Sequence, residues 1–254
     1  MGMSLAKKVV VLMGGGVSGP WYLSGGITPA NCIAAYQAIG AETIFAAYTN
    51  LINPGTYDCA TTASSIKTPA FDTSYGWSFN GTDQAIHTGI VSPNDQSFSV
   101  IVRFSDQTGT GDKAVIGALN SAANTGTSII ADKTDKVRYR SGAYLDIATK
   151  VTTGVLAIAG NVAYRNGVAE TGTITAGAAA TLGYLTIGGT SYANNYTWFC
   201  NVKVQALAYY DTVLTAPQVA AVTAAMNALS ASTPPINYLS TEYVSFLYSS
   251  SIEA

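Results

Sequence analysis

Acid–base cleavage of a glycosidic bond needs two carboxylates at a fixed separation, about 5–5.5 Å for a retaining displacement. The chain has four glutamates, Glu42, Glu170, Glu242 and Glu253. None has a second carboxylate two or four residues away, the spacing that would set both on one face of a strand. Glu170 follows Asn166-Gly167 and reads as an exposed loop charge. Asp132 and Asp135 are three apart in Asp132-Lys133-Thr134-Asp135-Lys136, which points them to opposite faces of a strand and reads as a solvated reversal. A Ser-His-Asp triad would have to use His87, the one histidine, and no Gly-x-Ser-x-Gly turn presents a serine to it. No catalytic residue is therefore assigned, and the chain is expected not to be an enzyme.

The remaining candidates bind rather than react. Gly14-Gly15-Gly16 is followed by Pro20-Trp21-Tyr22, without the Lys-Ser/Thr or immediate helix of a phosphate-binding loop. Asp83, Asp106, Asp112, Asn194 and Asn195 offer hard oxygens on loops, but no regular ligand spacing organises them. The expectation is no cofactor and no assigned metal, with calcium left open. Cys32, Cys59 and Cys200 form neither a CxxC nor a disulfide ladder; they read as small buried residues, and a Cys32–Cys59 bridge stays open. The densest recognition chemistry lies in Tyr192, Asn194, Asn195, Tyr196 and Trp198. Rings cover the C–H face of a sugar while amides bond its hydroxyls, so this is the candidate carbohydrate-binding loop. Aromatics packed on the sandwich or a neighbour are the alternative.

Positioning these residues falls to a chain that is short of charge. Twelve Lys+Arg and 14 Asp+Glu make 10% of 254 residues, against 48% apolar and a net charge of -2; an ordinary domain is about 25% charged. No basic excess exists to bind nucleic acid, and no apolar run of about 18 residues predicts a membrane span. Val9–Met13 is too short an apolar core for a signal peptide, so none is expected.

From Phe71 onward the pattern is β. Phe98, Val100, Val102 and Phe104 alternate on one predicted face. Short strands are predicted at Ala114–Leu119, Ser128–Ala131, Val137–Arg140, Tyr144–Ile147 and Tyr184–Ile187, with an apolar run over Val155–Tyr164. Asn80-Gly81 and Asn166-Gly167 predict tight reversals. In Phe199–Tyr210, strict alternation would put Val202, Val204, Ala206 and Ala208 together. Asn31–Tyr48 is helix-like or mixed: its alanines allow a short amphipathic turn or two, Gly40 interrupts it, and Ile44–Tyr48 reads equally well as a strand. One helix is clear: Thr215 caps it, Pro217 lies in its first turn, and Val219, Val222, Met226 and Leu229 make one stripe.

The succession Gly76-Trp77-Ser78-Phe79-Asn80-Gly81, Phe98–Phe104, Ala163–Val168, Leu185–Gly189, Asn201–Asp211 and Leu214–Val219 resembles the laminin G-like, concanavalin A-like lectin and glucanase jelly roll. The resemblance implies an all-β jelly-roll sandwich with one short C-terminal helix and extended terminal arms. It divides the chain into an N-terminal arm (1–30), a leader packed on the sandwich (31–70), the jelly roll (71–229) and a C-terminal arm (230–254). The leader, Gly26–Asn31 through Asn50–Asp58, is similar to those of bacteriophage virion proteins. That similarity implies a non-enzymatic virion structural protein, such as a capsid decoration, fibre or tail component made in the host cytoplasm. It would be oligomeric, with Val9–Met13 and Tyr243–Tyr248 pairing with neighbouring subunits. Surface glycans are the other partner expected, and a free-standing carbohydrate-binding adhesin is the alternative, ahead of a glycoside hydrolase.

Overall fold

The computed structural model describes residues 19–237 except 62–64, 92, 94, 121–124, 178–182 and 193–194. The expected arm strands Val9–Met13 and Tyr243–Tyr248 lie outside these residues. In chain order the strands are β1 (Cys32–Gln37), β2 (Ala70–Asp72), β3 (Gly76–Asn80), β4 (Ile86–Val91), β5 (Ser99–Ser105), β6 (Ile116–Asn120), β7 (Thr125–Ile130) and β8 (Lys136–Ala148). They continue with β9 (Gly154–Ala159), β10 (Val162–Arg165), β11 (Val168–Ala169), β12 (Tyr184–Ile187), β13 (Thr190–Tyr192), β14 (Asn195–Thr197) and β15 (Asn201–Tyr210). Two α-helices, α1 (Ile44–Tyr48) and α2 (Ala216–Asn227), and two short 3-10 turns, Trp21–Leu23 and Pro29–Asn31, complete the set. The expected all-β sandwich with one helix near its C-terminal end is what the structure shows.

The larger sheet runs β11-β10-β9-β5-β15. Along its other edge, β15 pairs first with β3, which carries β2, and then with β1. The smaller sheet runs β4-β12-β6-β7-β8, and β13 joins β6 in parallel, bringing β14 with it. Apart from that contact the named strands pair antiparallel, and one isolated bridge, Lys67 to Gln84, is parallel. Among the described residues no helix is long and apolar enough to cross a membrane.

Two cores follow from strand alternation. Val100, Val102 and Phe104 of β5, with Phe98 just before it, share one face, as their spacing predicts, and meet Ile86, Ile116, Ile129, Tyr139 and Leu185 of the smaller sheet. Ile101 points the other way, toward Trp21, Tyr22 and the Val219/Val222/Met226 stripe of α2. Each large apolar side chain removed from water in these layers contributes about 1.5–3 kcal/mol. Arg103 lies on that second face and donates from Nη1 to the carbonyls of Met226 and Leu229, at 2.5 and 2.8 Å. At the other end of α2, the Gln218 carboxamide oxygen accepts from Thr215 N at 2.9 Å.

Four local expectations are corrected. Alternation in β15 is broken by a bulge between Val204 and Ala206. Val202, Val204, Leu207 and Tyr209 therefore face the other sheet, while Ala206, Ala208 and Tyr210 face α2. The unpaired residue is held by its carbonyl: Gln205 O accepts from Ala38 N and Ile39 N. Asn80-Gly81 is not a hairpin, because β3 and β4 belong to different sheets; Asn80 Oδ1 instead accepts from Thr82 N and Asp83 N and turns the chain across. The alanine-rich 32–37 segment is a strand, against its local preference, and 44–48, which reads equally well either way, is a helix. Pairing with β15 decides the first, and the Thr43 hydroxyl accepting from Ala46 N at 3.1 Å starts the second. Val155–Tyr164 splits at Gly160-Asn161 into β9 and β10.

Asn166 and Gly167 both have positive φ, 50° and 82°, the tight turn expected of that pair. The three cysteines are free thiols, all buried. Burial pushes the Cys200 thiol up to about 12 and raises Cys32 and Cys59 as well.

Candidate functional site

The outer face of the smaller sheet is built by alternation. Leu185 and Ile187 of β12 enter the core, which turns Tyr184 and Thr186 outward. Their partners on β4 are Val91 and His87. Tyr184 is 41% exposed, and its ring lies 6.0 Å from that of His87. Burial lowers the pKa of His87, and its Nδ1 is buried without a hydrogen-bond partner. Tyr196 of β14 reaches the same strip: Ser191, its pairing partner, donates its hydroxyl to the Tyr184 carbonyl. Partial burial, and secondly the Tyr184 phenol, raise the Tyr196 pKa. This arrangement requires Gly117 on β6, where a methyl group would run into Thr190.

A second cluster lies at β8. Arg138 and Asp146 are eight residues apart, about 26 Å along an extended strand, yet Arg138 Nε donates to Asp146 Oδ1 at 2.6 Å and Nη2 to Oδ2 at 2.8 Å. The strand must double back, and it does so at Gly142, whose φ is +99°. Val137 and Tyr139 enter the core, leaving Arg138, Arg140, Tyr144 and Asp146 on the outer face. The Tyr144 ring, 45% exposed, sits 3.9 Å from the Arg138 guanidinium carbon and 5.5 Å from that of Arg140. The hydrogen bonds from Arg138 hold the Asp146 carboxyl below its ordinary range. Burial, then repulsion from Arg138, lowers the pKa of Arg140. The face thus offers aromatic rings, phenols and a guanidinium-backed ring to a flat polar ligand.

The residues anticipated in the 192–198 loop are placed as follows. Tyr192 ends β13 opposite Asn195 of β14, and Asn195 is exposed; Asn194 lies outside the described residues. Tyr196 joins the strip through Tyr184. Trp198 is half-buried with φ +54°, and its carbonyl accepts from Ala114 N. Tyr184 and Tyr144 were missed, although the alternation Tyr184-Leu185-Thr186-Ile187 carried the signal for the first.

Two expectations about carboxylates are corrected. Asp132 is buried rather than solvated: it accepts from Asp135 N at 2.8 Å, and Lys150 bridges Asp132 and Asp135 at 3.2 and 3.0 Å. Glu170 is largely buried and paired with Arg165 at 2.6 Å, with the Tyr139 hydroxyl donating to it at 3.4 Å. The oxygens considered for calcium are dispersed, with Asp83 on Lys67, Asp106 on Lys203 and Asp112 on Lys133. Among the described residues no group of three or more His, Cys, Asp or Glu side chains converges.

No protein-family model and no curated protein matches the chain. Solved structures do match. Trypanosoma rangeli sialidase aligns at 14% identity and a TM-score of 0.56, over 79% of this chain and 34% of the sialidase. Its complex with sialic acid aligns at 15% and 0.55, over the same shares. Domain 4 of a GH43 extracellular arabinanase from Geobacillus stearothermophilus, in complex with arabinotriose, aligns at 18% and 0.50, over 76% of this chain and 98% of that domain. The chain therefore spans about a third of the sialidase and nearly all of the arabinanase domain. At these identities the likeness is one of fold, a jelly-roll-like β-sandwich carried by carbohydrate-active proteins. It overturns the expectation of a non-enzymatic virion structural protein, since the chains compared above belong to a sialidase and an arabinanase.

Proposed function

We propose that this chain is a carbohydrate-binding β-sandwich of the kind carried by glycan-processing proteins, with the outer face of the smaller sheet as its recognition surface. The observation that carries the reading is the set of part-exposed rings on that face: Tyr184 and Tyr196 at one end and the Arg138-backed Tyr144 at the other, flanking the buried Thr186 and Arg140. Tyrosines 41% and 45% exposed on a rigid sheet give apolar contact at little entropic cost. The arabinanase domain that matches over nearly its whole length is one solved with a sugar, which supports the ligand class.

Arabinotriose and 3′-sialyllactose, titrated separately by calorimetry and by amide chemical-shift mapping, test the proposal. Shifts should centre on β12, β14 and the second half of β8. Tyr184→Ala and Tyr144→Ala should each weaken binding about tenfold, equivalent to about 1.4 kcal/mol. Wild-type affinity in both variants would overturn this assignment of the surface.

A further inference from the structure

We propose a second saccharide site, a groove divided by Tyr57 at the edge of the sandwich, that takes a neutral sugar. It shares with the sheet-face reading only the class of ligand. Tyr57 stands between two concavities of about 360 and about 280 Å³, whose walls both include Tyr57 and Ile33. Tyr57 is 43% exposed, and its φ is +60°, a conformation costly for any residue with a side chain.

The surrounding loop is built to hold that conformation. Fully buried Asn50 accepts at Oδ1 from Ala35 N and Ile52 N and donates from Nδ2 to Ile33 O and Thr56 O. Asp58 accepts from Asn50 N at 2.8 Å and Gly55 N at 3.1 Å. The buried Tyr36 hydroxyl donates to the Tyr57 carbonyl at 2.5 Å. A glycine at 57 would relieve the strain, so the ring, not the turn, is what this loop presents.

The polar groups beside the ring are uncommitted. Asn53 and Thr56 lie exposed on one side, and Asp211 on the other. Among the described carboxylates only Asp211 and Glu42 have neither hydrogen bond nor ion pair, and Asp211 is the one in this groove. No lysine or arginine lines either concavity. A stacking ring with an unpaired carboxylate and amide suits the C–H face and hydroxyls of a neutral sugar, and the carboxylate repels an acidic one.

The test is amide shift mapping with arabinotriose, xylotriose and maltotriose, against 3′-sialyllactose, in the full chain carrying Tyr184→Ala. At least one neutral trisaccharide should shift Asn53, Tyr57, Gly89 and Asp211, and sialyllactose should not. Tyr57→Gly should melt at or above the parent temperature and lose this binding tenfold or more; Asp211→Asn should weaken it without changing the fold. Silence of the groove toward all three neutral sugars, or Tyr57→Gly binding within twofold of its parent, overturns the proposal. Groove shifts that persist while the sheet-face variants change nothing would sink the sheet-face reading alone.

Discussion

Replacing Arg103 with methionine keeps most of the apolar stem and removes the guanidinium that closes the C-terminal end of α2. Arg103 donates to two carbonyls, Met226 O and Leu229 O, from a half-buried position where desolvation already lowers its pKa. A helix leaves its last carbonyls without intrahelical partners; Met226 O keeps a backbone donor in Leu229 N, and hydrogen bonds from a charged group are worth about 1.5–3 kcal/mol each. Taking both at the low end gives a loss of about 3 kcal/mol, the relief of an arginine's desolvation working against anything larger. For a domain of this size that corresponds to about 6–12 °C in Tm. Urea unfolding followed by tryptophan fluorescence reads it directly, since Trp21 packs in the same layer. Arg103→Lys, a single point donor without the fork, should fall between the two. A loss below about 1 kcal/mol for Arg103→Met would show that water replaces the arginine and that the helix is held by its apolar stripe alone.

Two further outcomes are expected. His87 is held toward its neutral form by burial, so its contribution is fully present above the unfolded value near pH 6.5 and is lost as pH falls through the lower folded value. A Tm series from pH 8 to 5 should therefore decline less steeply in His87→Gln, and parallel curves would refute this, since the chain has no other histidine. The three buried thiols, all shifted toward the protonated form, should resist iodoacetamide at pH 8 in the native protein and react fully in urea. Mass spectrometry showing one native thiol alkylated within minutes would contradict the burial described here.

Local pattern carried the β5 alternation, the α2 stripe and the Asn166-Gly167 turn, because each depends on neighbours within a few residues. It also separated Val137–Arg140 from Tyr144–Ile147, and the structure folds those halves back on each other at Gly142. What local pattern could not carry was set by distant partners. The β15 bulge is stabilised by Ala38 and Ile39 from the far end of the chain. Asp132 looks like a surface charge until Lys150 is brought to it; Glu170 was missed for a nearer reason, since the Asn166-Gly167 turn folds it back onto Arg165. At the candidate face, Tyr196 was legible from composition, whereas its neighbours Tyr184 and His87 come from strands almost a hundred residues apart in sequence.

The β15 bulge also gives the molecule a direction. With Leu207 and Tyr209 turned one way and Ala206 and Ala208 the other, the larger sheet is clasped by packed layers front and back, and a substitution there must be answered by both. Across the sandwich, Tyr144 and Tyr184 stand part-exposed on the smaller sheet, outside both packed layers. Descendants of this sequence could exchange those residues one at a time and acquire a different ligand without renegotiating the interior.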